Sequence, residues 1–296
     1  MDGILNIYKP IGPTSHDVVN RVRRLSRQRR VGHAGTLDPA AEGVLLVCLG
    51  RATRVVEYMA DYDKEYCATI RLGQSTDTCD AAGRPTSPLV QPTFGQEEVA
   101  RALASFVGRI WQVPPAYSAL KQGGQPLYRL ARAGKKVQPA PRQVEIYAAA
   151  LLAWEPPDLL ANVRCSKGTY IRSLAHDLGQ KLGCGGHLRG LVRLASGPFR
   201  LEDAVTLEEL AAAFADGYAE TFLYPLDEAL LSLPAVILGP DNARAVAQGA
   251  RWSGPQAPAG ERLCRAYSSE GELVALLENE DDTTIWQPRK VFSVDR

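Results

Sequence analysis

The sequence lacks the features that mark membrane, secreted and metal-binding proteins. Its longest apolar runs, such as 146–154, are far shorter than the roughly 20 residues that a membrane-spanning helix needs. No basic leader with an apolar core stands at the N-terminus, so we expect no signal peptide and a cytoplasmic location. The six cysteines include no Cys-x-x-Cys pair, and the four histidines show no metal-ligand spacing with them. We therefore predict reduced thiols and no structural metal.

A net charge of +1 conceals two parts of opposite charge. Residues 1–200 contain 27 Lys+Arg and 16 Asp+Glu, a net of +11, whereas residues 201–296 contain 7 and 17, a net of −10. Solvated charges can segregate without a functional reason. The asymmetry also fits a first part that holds a polyanion.

The stretch 32–43 is a candidate catalytic loop. It reads Gly-His-Ala-Gly-Thr-Leu-Asp-Pro-Ala-Ala-Glu-Gly and is followed by the apolar residues 44–49, which are typical of a buried strand. Pro39 disfavours a helical backbone at Asp38, so the Asp38 carboxylate has a preset direction. The alternative is an ordinary turn in which this carboxylate accepts hydrogen bonds from nearby amides.

A basic helix is predicted before this loop. Thr14 and Asp17 form a capping-box pattern, and apolar residues follow at helical spacing. Six arginines lie between residues 21 and 30, and guanidinium groups suit phosphate oxygens. A solvated helix face is the alternative.

The segment 121–142 contains six basic residues and no acidic one, together with a tyrosine and three glycines. It is too polar for a protein core. It is either a surface excursion or an arm that binds nucleic acid.

A second helix is predicted from Thr169, the expected N-cap, to the residues before Gly183. Arg172 then lies in the first turn, where the helix dipole opposes a positive charge. An anion nearby would offset this repulsion. The alternative is an exposed arginine that extends away from the helix end.

Short β-like runs after residue 234, at 235–238, 261–267, 272–277 and 290–294, predict a separate small β-domain. We therefore divide the chain into a large domain, 1–230, and a small domain, 234–296.

Five motifs occur together in the large domain. They are Gly32-His33-x-Gly35-x-Leu37-Asp38-Pro39-x-Ala41-x-Gly43, Lys64-x-Tyr66, Arg71-x-Gly73-x-x-Thr76-Asp77-Thr78-x-Asp80-x-x-Gly83, Gln112-x-Pro114-Pro115-x-Tyr117-Ser118-Ala119-x-Lys121 and Cys165-Ser166-Lys167-Gly168-Thr169-Tyr170-Ile171-Arg172. In this order they resemble the bacterial TruB-type tRNA pseudouridine synthases, over roughly residues 3–230. The tail after residue 234 resembles the PUA-type RNA-binding β-domain more loosely.

The resemblance implies isomerisation of the uridine at position 55 in the T-loop of tRNA, without cofactor or metal. It also implies an α+β fold with a central mixed, mainly antiparallel sheet flanked by helices, followed by the PUA-like β-domain. The expected partner is the tRNA T-stem-loop. We expect a monomer and no membrane association.

By similarity the nucleophile is Asp38, and Arg172 pairs with it, which would keep the carboxylate ionised and oriented. The sequence leaves open whether Asp38 attacks C1′, attacks C6 or abstracts a sugar proton. Hydrolytic glycosidases normally use two carboxylates, and no matching second acid is signalled, although Glu42 and Asp77 are not excluded. Glu42 occupies a place where a small hydroxyl residue is more usual, and we assign it no role.

By similarity Tyr66 would stack on the uracil ring and serve in proton transfer at C5. Tyr170 and Leu191 would line the pocket, and His33 would stabilise the flipped-out T-loop conformation. The alternative role of the two tyrosines and of Leu191 is core packing.

A base inside a folded tRNA must be extruded, and contacts elsewhere have to compensate for its lost stacking. The candidate RNA-binding residues share positive charge and lie in or near the basic helix or in the arm 121–142, which matches the family's RNA-gripping insertion. They are Lys9, Arg21, Arg24, Lys121, Arg129, Arg132, Lys135, Lys136 and Arg142.

Two other interpretations remain at this point. One is a relative that acts on ribosomal RNA with a guide RNA, and the other is an RNA-binding or folding module without catalysis. The basic arm and the absence of long lysine-rich tails favour a stand-alone tRNA enzyme. Intact Asp38, Tyr66 and Arg172 favour a catalyst.

Overall fold

The computed structural model describes residues 1–117, 121–122, 125–127, 139–254, 258, 260–279 and 284–292. These residues form a mixed α+β structure with a large central sheet and a smaller C-terminal sheet. None of the helices in the described part of the chain is long and apolar enough to cross a membrane.

The helices of the described residues are α1 (Ser15–Ser26), α2 (Val56–Ala60), α3 (Gln96–Ala104), α4 (Ile171–Lys181), α5 (Leu207–Asp216) and α6 (Pro240–Ala247). The strands are β1 (Gly3–Lys9), β2 (Val31–Ala34), β3 (Ala41–Leu49), β4 (Lys64–Leu72), β5 (Gly108–Gln112), β6 (Lys121–Gln122), β7 (Gln125–Pro126), β8 (Arg142–Glu155), β9 (Asp158–Cys165), β10 (Gly186–Ser196), β11 (Phe199–Arg200), β12 (Leu223–Tyr224), β13 (Ala235–Leu238), β14 (Trp252–Ser253), β15 (Leu263–Ser268), β16 (Leu273–Glu278) and β17 (Ile285–Val291). Short 3₁₀ segments cover Gly50–Val55, Leu201–Asp203, Ala219–Phe222 and Leu226–Leu230.

The central sheet contains ten strands among the described residues. Its main path is β12-β1-β3-β10-β4-β9-β8-β5, with β2 paired to β3 and β11 to β10. Neighbours on this path are antiparallel except β3 and β10, which run parallel. The prediction of a mixed, mainly antiparallel sheet is therefore confirmed.

Strand β3 is buried on both faces because its side chains alternate between two cores. Leu45, Val47 and Leu49 pack with α1 and α5. Val44 and Leu46 belong to a second core that also contains residues of the segment 50–60 and of the C-terminal sheet. This alternation, with period two, explains the continuous apolar run in the sequence.

A third core lies under α3 and α4. The apolar face of α4 packs on β4 and β9, and Leu37 and Ala41 from either side of Asp38 join the same cluster. The candidate catalytic loop is therefore anchored by apolar contacts next to Asp38.

The C-terminal sheet has the order β13-β15-β16-β17-β14. It contacts the first part of the chain directly, since Leu276 and Phe292 belong to the core that contains Val55. Arg51 also donates to the Phe292 carbonyl at 2.5 Å. The small C-terminal β-structure is confirmed, with the helix α6 as an addition that the sequence reasoning missed. The boundaries 1–230 and 234–296 stay predictions.

One local expectation near the candidate loop was wrong. The ends of the stretch 32–43, expected as a loop, belong to strands. Residues 32–34 lie in β2, which pairs with β3 in antiparallel register, and residues 41–43 lie in β3. A 3₁₀ segment and the short helix α2 follow β3. The capping box of Thr14 and Asp17 at the start of α1 is confirmed.

Candidate active site

Asp38 and Arg172 meet at the wall of a cavity. The Arg172 Nε lies 3.0 Å from the Asp38 Oδ2, and the Arg172 side chain is 6% exposed whereas that of Asp38 is 45% exposed. The loop between β2 and β3 carries Asp38, and α4 carries Arg172. The pair predicted from the resemblance is therefore brought together, with the guanidinium buried and the carboxylate open to the cavity.

Three further groups contact the Arg172 guanidinium, among them the Thr78 carbonyl at 3.5 Å from its Nη1. The Asp80 carboxylate lies 3.4 Å from its Nη1, and the Tyr117 carbonyl accepts from its Nη2 at 2.9 Å. The other oxygen of the Asp80 carboxylate accepts from the Ala82 amide at 3.1 Å. Asp80 belongs to one of the five motifs, but its contact with α4 is not predictable from the motif alone.

The start of α4 differs by one residue from the prediction. The N-cap is Tyr170 rather than Thr169, and the Tyr170 side chain makes no cap hydrogen bond. The buried Gln112 side chain instead accepts from the Tyr170 amide at 2.7 Å and donates to its carbonyl at 3.0 Å. A long-range clamp thus replaces local capping, and Arg172 remains in the first turn.

The backbone of the Asp38 loop is fixed from several sides. Ser15 of α1 accepts from the Leu37 amide at 2.9 Å and donates to its carbonyl at 3.0 Å. The Arg193 guanidinium reaches the carbonyls of Gly35 and Thr36. The orientation of Asp38 is therefore set by contacts from α1 and β10 as well as by Pro39.

Lys9 is a correction to the predicted RNA-binding set. Its side chain is fully buried, and its Nζ donates to the Ala41 carbonyl at 2.6 Å and to the Pro10 carbonyl at 2.9 Å. Burial lowers the pKa of Lys9 to about 8, against the attraction of Asp38. Lys9 holds the far end of the Asp38 loop and presents no charge at the surface.

A cavity of about 270 Å³ opens beside Asp38, close to the roughly 300 Å³ at which small-ligand pockets begin. Its lining includes Tyr66, Tyr170 and Leu191, as the resemblance implied. The lining also includes four basic side chains against the single carboxylate of Asp38. They are Lys64, Arg142, Arg172 and Arg193. The cavity therefore suits a ligand that combines a flat ring with negative charge.

Burial shifts the two groups proposed for chemistry in the same direction. Removal from water raises the pKa of the Asp38 carboxyl, while Arg172 and Lys9 act to lower it and Asp80 adds to the rise. Burial also raises the pKa of the Tyr66 hydroxyl, and Arg193 acts to lower it. Perturbed acids that share one cavity are typical of functional sites.

His33 and Glu42 lie beside the cavity rather than in its lining, as far as the described residues show. His33 lies on β2 opposite Val47, and its Nδ1 is buried without a hydrogen-bond partner among the described residues. Burial lowers the pKa of His33, with a further contribution from Arg193. The Glu42 carboxylate accepts a hydrogen bond from the Tyr8 hydroxyl.

The remaining RNA-binding candidates fall into four groups. Arg24 is exposed on α1, whereas Arg21 forms an ion pair with Glu208 at 3.3 Å. Arg142 stacks over the Tyr170 ring at 4.7 Å and donates to the Gly168 carbonyl, so it belongs to the cavity wall. Lys121 lies in the short strand β6. Four candidates lie outside the described residues, namely Arg129, Arg132, Lys135 and Lys136.

The sequence reasoning gave no role in the site to Lys64 or Arg193, although both line the cavity. Lys64 is part of the motif Lys64-x-Tyr66, and its Nζ donates to the carbonyls of Ala60 and Tyr62. Burial lowers the pKa of Lys64 to about 8. Among the described residues, no group of three or more His, Cys, Asp or Glu side chains could hold a metal ion.

Comparison with known proteins identifies the class of this fold and site. Residues 23–171 match the model of the TruB family pseudouridylate synthase N-terminal domain. Residues 172–233 match the tRNA pseudouridylate synthase B C-terminal domain. The two matches share a boundary between Ile171 and Arg172. Together they cover the loop of Asp38, the strand of Tyr66 and the helix of Arg172.

Similar proteins extend over nearly the whole chain. A tRNA pseudouridine synthase B of Dehalococcoides mccartyi is 44% identical over 292 residues, which cover 99% of this chain and 97% of that protein. One from Thiobacillus denitrificans is 42% identical over 294 residues, with coverage of 99% and 96%.

Solved structures support the same class. A chain of a Cbf5-Nop10-Gar1 complex has a TM-score of 0.77 at 30% identity and covers 98% of this chain and 85% of its own. A chain of an H/ACA RNP bound to a substrate RNA containing 2′-deoxyuridine has a TM-score of 0.75 at 29% identity, with coverage of 99% and 85%. The fold is thus that of a pseudouridine synthase. Within this class the chain belongs to the TruB family.

Proposed function

We propose that this protein isomerises the uridine at position 55 in the T-loop of tRNA, with Asp38 as the nucleophile on a flipped-out uridine. The observation that carries the proposal is the pair of Asp38 and Arg172, 3.0 Å apart at the wall of a basic cavity that Tyr66 also lines. The similar bacterial proteins named tRNA pseudouridine synthase B support tRNA as the substrate. The cytoplasmic location and the monomeric state stay predictions.

The reaction rearranges bonds without consuming water. The bond between N1 and C1′ breaks, the base turns, and C5 bonds to C1′, after which C5 loses its proton and N1 gains one. A carboxylate can hold an intermediate covalently while the base turns. Attack at C1′, attack at C6 and abstraction of a sugar proton all require Asp38 beside the glycosidic bond, where its open carboxylate faces the cavity.

The other cavity residues fit complementary roles. Tyr66 would stack on the uracil and accept the C5 proton, Tyr170 and Leu191 would enclose the ring, and Arg172 would orient Asp38. His33 would support the flipped-out T-loop from β2. Arg24, Lys121 and Arg142, with the other basic residues of the arm 121–142, would grip the RNA backbone.

The proposal also divides the chain into two domains. We propose residues 1–230 as the catalytic domain, with the arm as its RNA-binding insertion, and residues 234–296 as a PUA-like RNA-binding domain. The second candidate substrate is guide-directed RNA, which the similarity to the Cbf5 chain favours. The tRNA enzymes are more similar in sequence, at 44% against 30% identity.

The test is release of tritium from C5-labelled uridine in an unmodified tRNA transcript. We expect stoichiometric release without any added guide RNA, and none from a transcript with cytidine at position 55. Tight binding without release would support an RNA-binding module instead. Release that persists after the cytidine replacement would reject the proposed position.

A further inference from the structure

Arg193 is a buried cation at the centre of the site to which the proposed mechanism gives no task. It is 1% exposed, and no carboxylate of the described residues forms an ion pair with its guanidinium. A buried guanidinium is unfavourable unless hydrogen bonds satisfy it. The hydrogen bonds of the Arg193 guanidinium therefore indicate the role of this residue.

The Arg193 guanidinium joins the Asp38 loop to the strand that follows the loop. Its Nε donates to the Val44 carbonyl of β3 at 2.6 Å. Its Nη2 donates to the Gly35 carbonyl at 3.0 Å, and its Nη1 to the Thr36 carbonyl at 3.5 Å. Because the guanidinium is planar and rigid, these three contacts fix the residues that lead to Asp38 relative to β3.

The same side chain faces Tyr66. In the antiparallel register of β10 and β4, Arg193 lies directly opposite Tyr66, so both side chains emerge on one face of the sheet. Arg193 acts to lower the pKa of the Tyr66 hydroxyl and so opposes the rise that burial causes. Asp38 and Cys165 also face this hydroxyl, and both act to raise its pKa.

The backbone of Arg193 is itself held closely. On its other side Arg193 pairs with Gly43 of β3 in parallel register. Gly43 has a φ of +105°, and a Cβ on it would lie 2.3 Å from the Arg193 carbonyl oxygen. Only glycine allows this approach of the two strands. The backbone that carries the Arg193 side chain is therefore held in place against β3.

We propose that Arg193 is a positioning residue that locks the Asp38 loop onto β3 and orients the Tyr66 hydroxyl oxygen for removal of the C5 proton. The inference rests on the proposed function. In that step the C5–H electron pair forms the C5–C6 double bond. At the same time the C6–N1 π pair moves to N1, which gains a proton, or, after attack at C6, the C6–O bond to Asp38 breaks. The C5 proton passes to the Tyr66 oxygen while the Tyr66 hydroxyl proton passes to water. The positive charge of Arg193 stabilises the negative charge that develops on the Tyr66 oxygen during this exchange.

The test compares Arg193→Lys and Arg193→Met with a matched control, Arg200→Lys. Arg200 lies on the neighbouring strand β11, where its half-exposed side chain pairs with Glu65 at 3.2 Å. Single-turnover rates are measured with tRNA carrying either hydrogen or deuterium at C5 of uridine. Melting temperatures and tRNA affinities are measured on the same preparations.

Both Arg193 variants should bind tRNA about as well as the unaltered protein but turn over about 10²-fold more slowly. Their C5 deuterium isotope effect should exceed that of the unaltered protein, because proton removal then limits the rate. Arg200→Lys should change neither. Arg193→Lys should slow the Tyr66→Phe protein much less than the unaltered one, because both changes act through one hydroxyl.

Turnover of the Arg193 variants within about threefold of the unaltered protein would overturn the proposal. Slow turnover with an unchanged isotope effect would also overturn it, because removal of the C5 proton by Tyr66 would then not depend on Arg193. Arg193→Met leaves the carbonyls of Val44, Gly35 and Thr36 without their donor, whereas Arg193→Lys keeps a cationic donor and is the variant expected to fold. Unfolding of both variants would assign Arg193 to the fold alone and reject the positioning role. Failure of the proposed function is distinct, since the unaltered protein would then release no label.

Discussion

The basic residues behind the Asp38 loop and those on the surface of α1 have opposite surroundings. Lys9 and Arg193 are fully buried and donate to backbone carbonyls around the loop. Arg24 is exposed, and Arg21 is half-exposed with an acidic partner. Positive charge in this chain therefore has two uses. Part of it shapes the site from within, and only the remainder is available to a polyanion.

Removal of the acid that the buried cations position should have the largest effect. Asp38→Asn keeps the size of the side chain but removes its nucleophilic charge, so turnover in the tritium-release assay should be abolished. Binding of tRNA, measured by filter retention, should be nearly unchanged. Asp216→Asn at the exposed end of α5 is the control and should retain full activity. Residual turnover of Asp38→Asn near that of the control would refute the nucleophile.

Replacement of Arg172 on α4 by the shorter lysine should have the next largest effect. Arg172→Lys removes the planar contact with Asp38, Asp80 and the Tyr117 carbonyl, and we expect turnover to fall about 10²- to 10³-fold. Arg172 opposes the rise in the pKa of Asp38. Since Asp38 acts as a carboxylate, the acid limb of the pH–rate profile should move to higher pH in the variant.

Arg84→Lys, a change of the same kind at an exposed position, should leave both the rate and its pH profile unaltered. An acid limb that stays in place in Arg172→Lys would show that this guanidinium does not control the ionisation of Asp38.

Lys9→Met should reveal the cost of burying a charge behind the loop. The pKa of Lys9 is about 8 in the folded protein against 10.5 for an unperturbed lysine, so the unfolded chain binds more protons between these values. The contribution of Lys9 to the free energy of unfolding therefore increases as pH rises through this window, by up to about 3 kcal/mol. Urea unfolding measures the free energy of unfolding of both proteins at pH 7 and pH 10. Relative to Lys9→Met, the unaltered protein should be more stable at pH 10 than at pH 7.

The exposed Lys181 supplies the comparison for this measurement. The stability difference between the unaltered protein and Lys181→Met should be the same at both pH values. The same pH independence for Lys9→Met would mean that Lys9 is not buried as a charge.

The smallest effects are expected on the surface. Arg24→Ala should weaken tRNA binding a few-fold and reduce the slope of log affinity against log salt by about 1. Arg21→Ala should do less, because Glu208 already partly neutralises Arg21. Titrations at several salt concentrations measure both. An unchanged affinity of Arg24→Ala, or a flat salt response of the unaltered protein, would remove α1 from the RNA-binding surface.

Local signals in the sequence predicted the elements that form without distant help. The Thr14 and Asp17 pattern predicted the start of α1, and the continuous apolar run 44–49 predicted β3. Strand β2 was missed because it has four residues and exists only by pairing with β3. The start of α4 was misplaced because Gln112, 58 positions away in the chain, caps it.

The motifs predicted which residues meet at the site, but not how each cation is used. The resemblance alone predicted that Asp38, Tyr66 and Arg172 lie in one site. Burial of Lys9 and Arg193 follows from the register of β1, β3 and β10, which is a property of the folded sheet. The sequence does not show whether a lysine or arginine side chain faces water or a buried carbonyl.

The most direct test of the account is a crystal structure of this protein with a tRNA T-stem-loop that carries 5-fluorouridine at the target position. We expect the target nucleotide to be flipped into the cavity, with its ring against Tyr66 and its C1′ or C6 within roughly 3–3.5 Å of an Asp38 oxygen, or covalently bound to it. A target base still stacked in the loop, or an Asp38 carboxylate turned away from the bound nucleotide, would contradict the account.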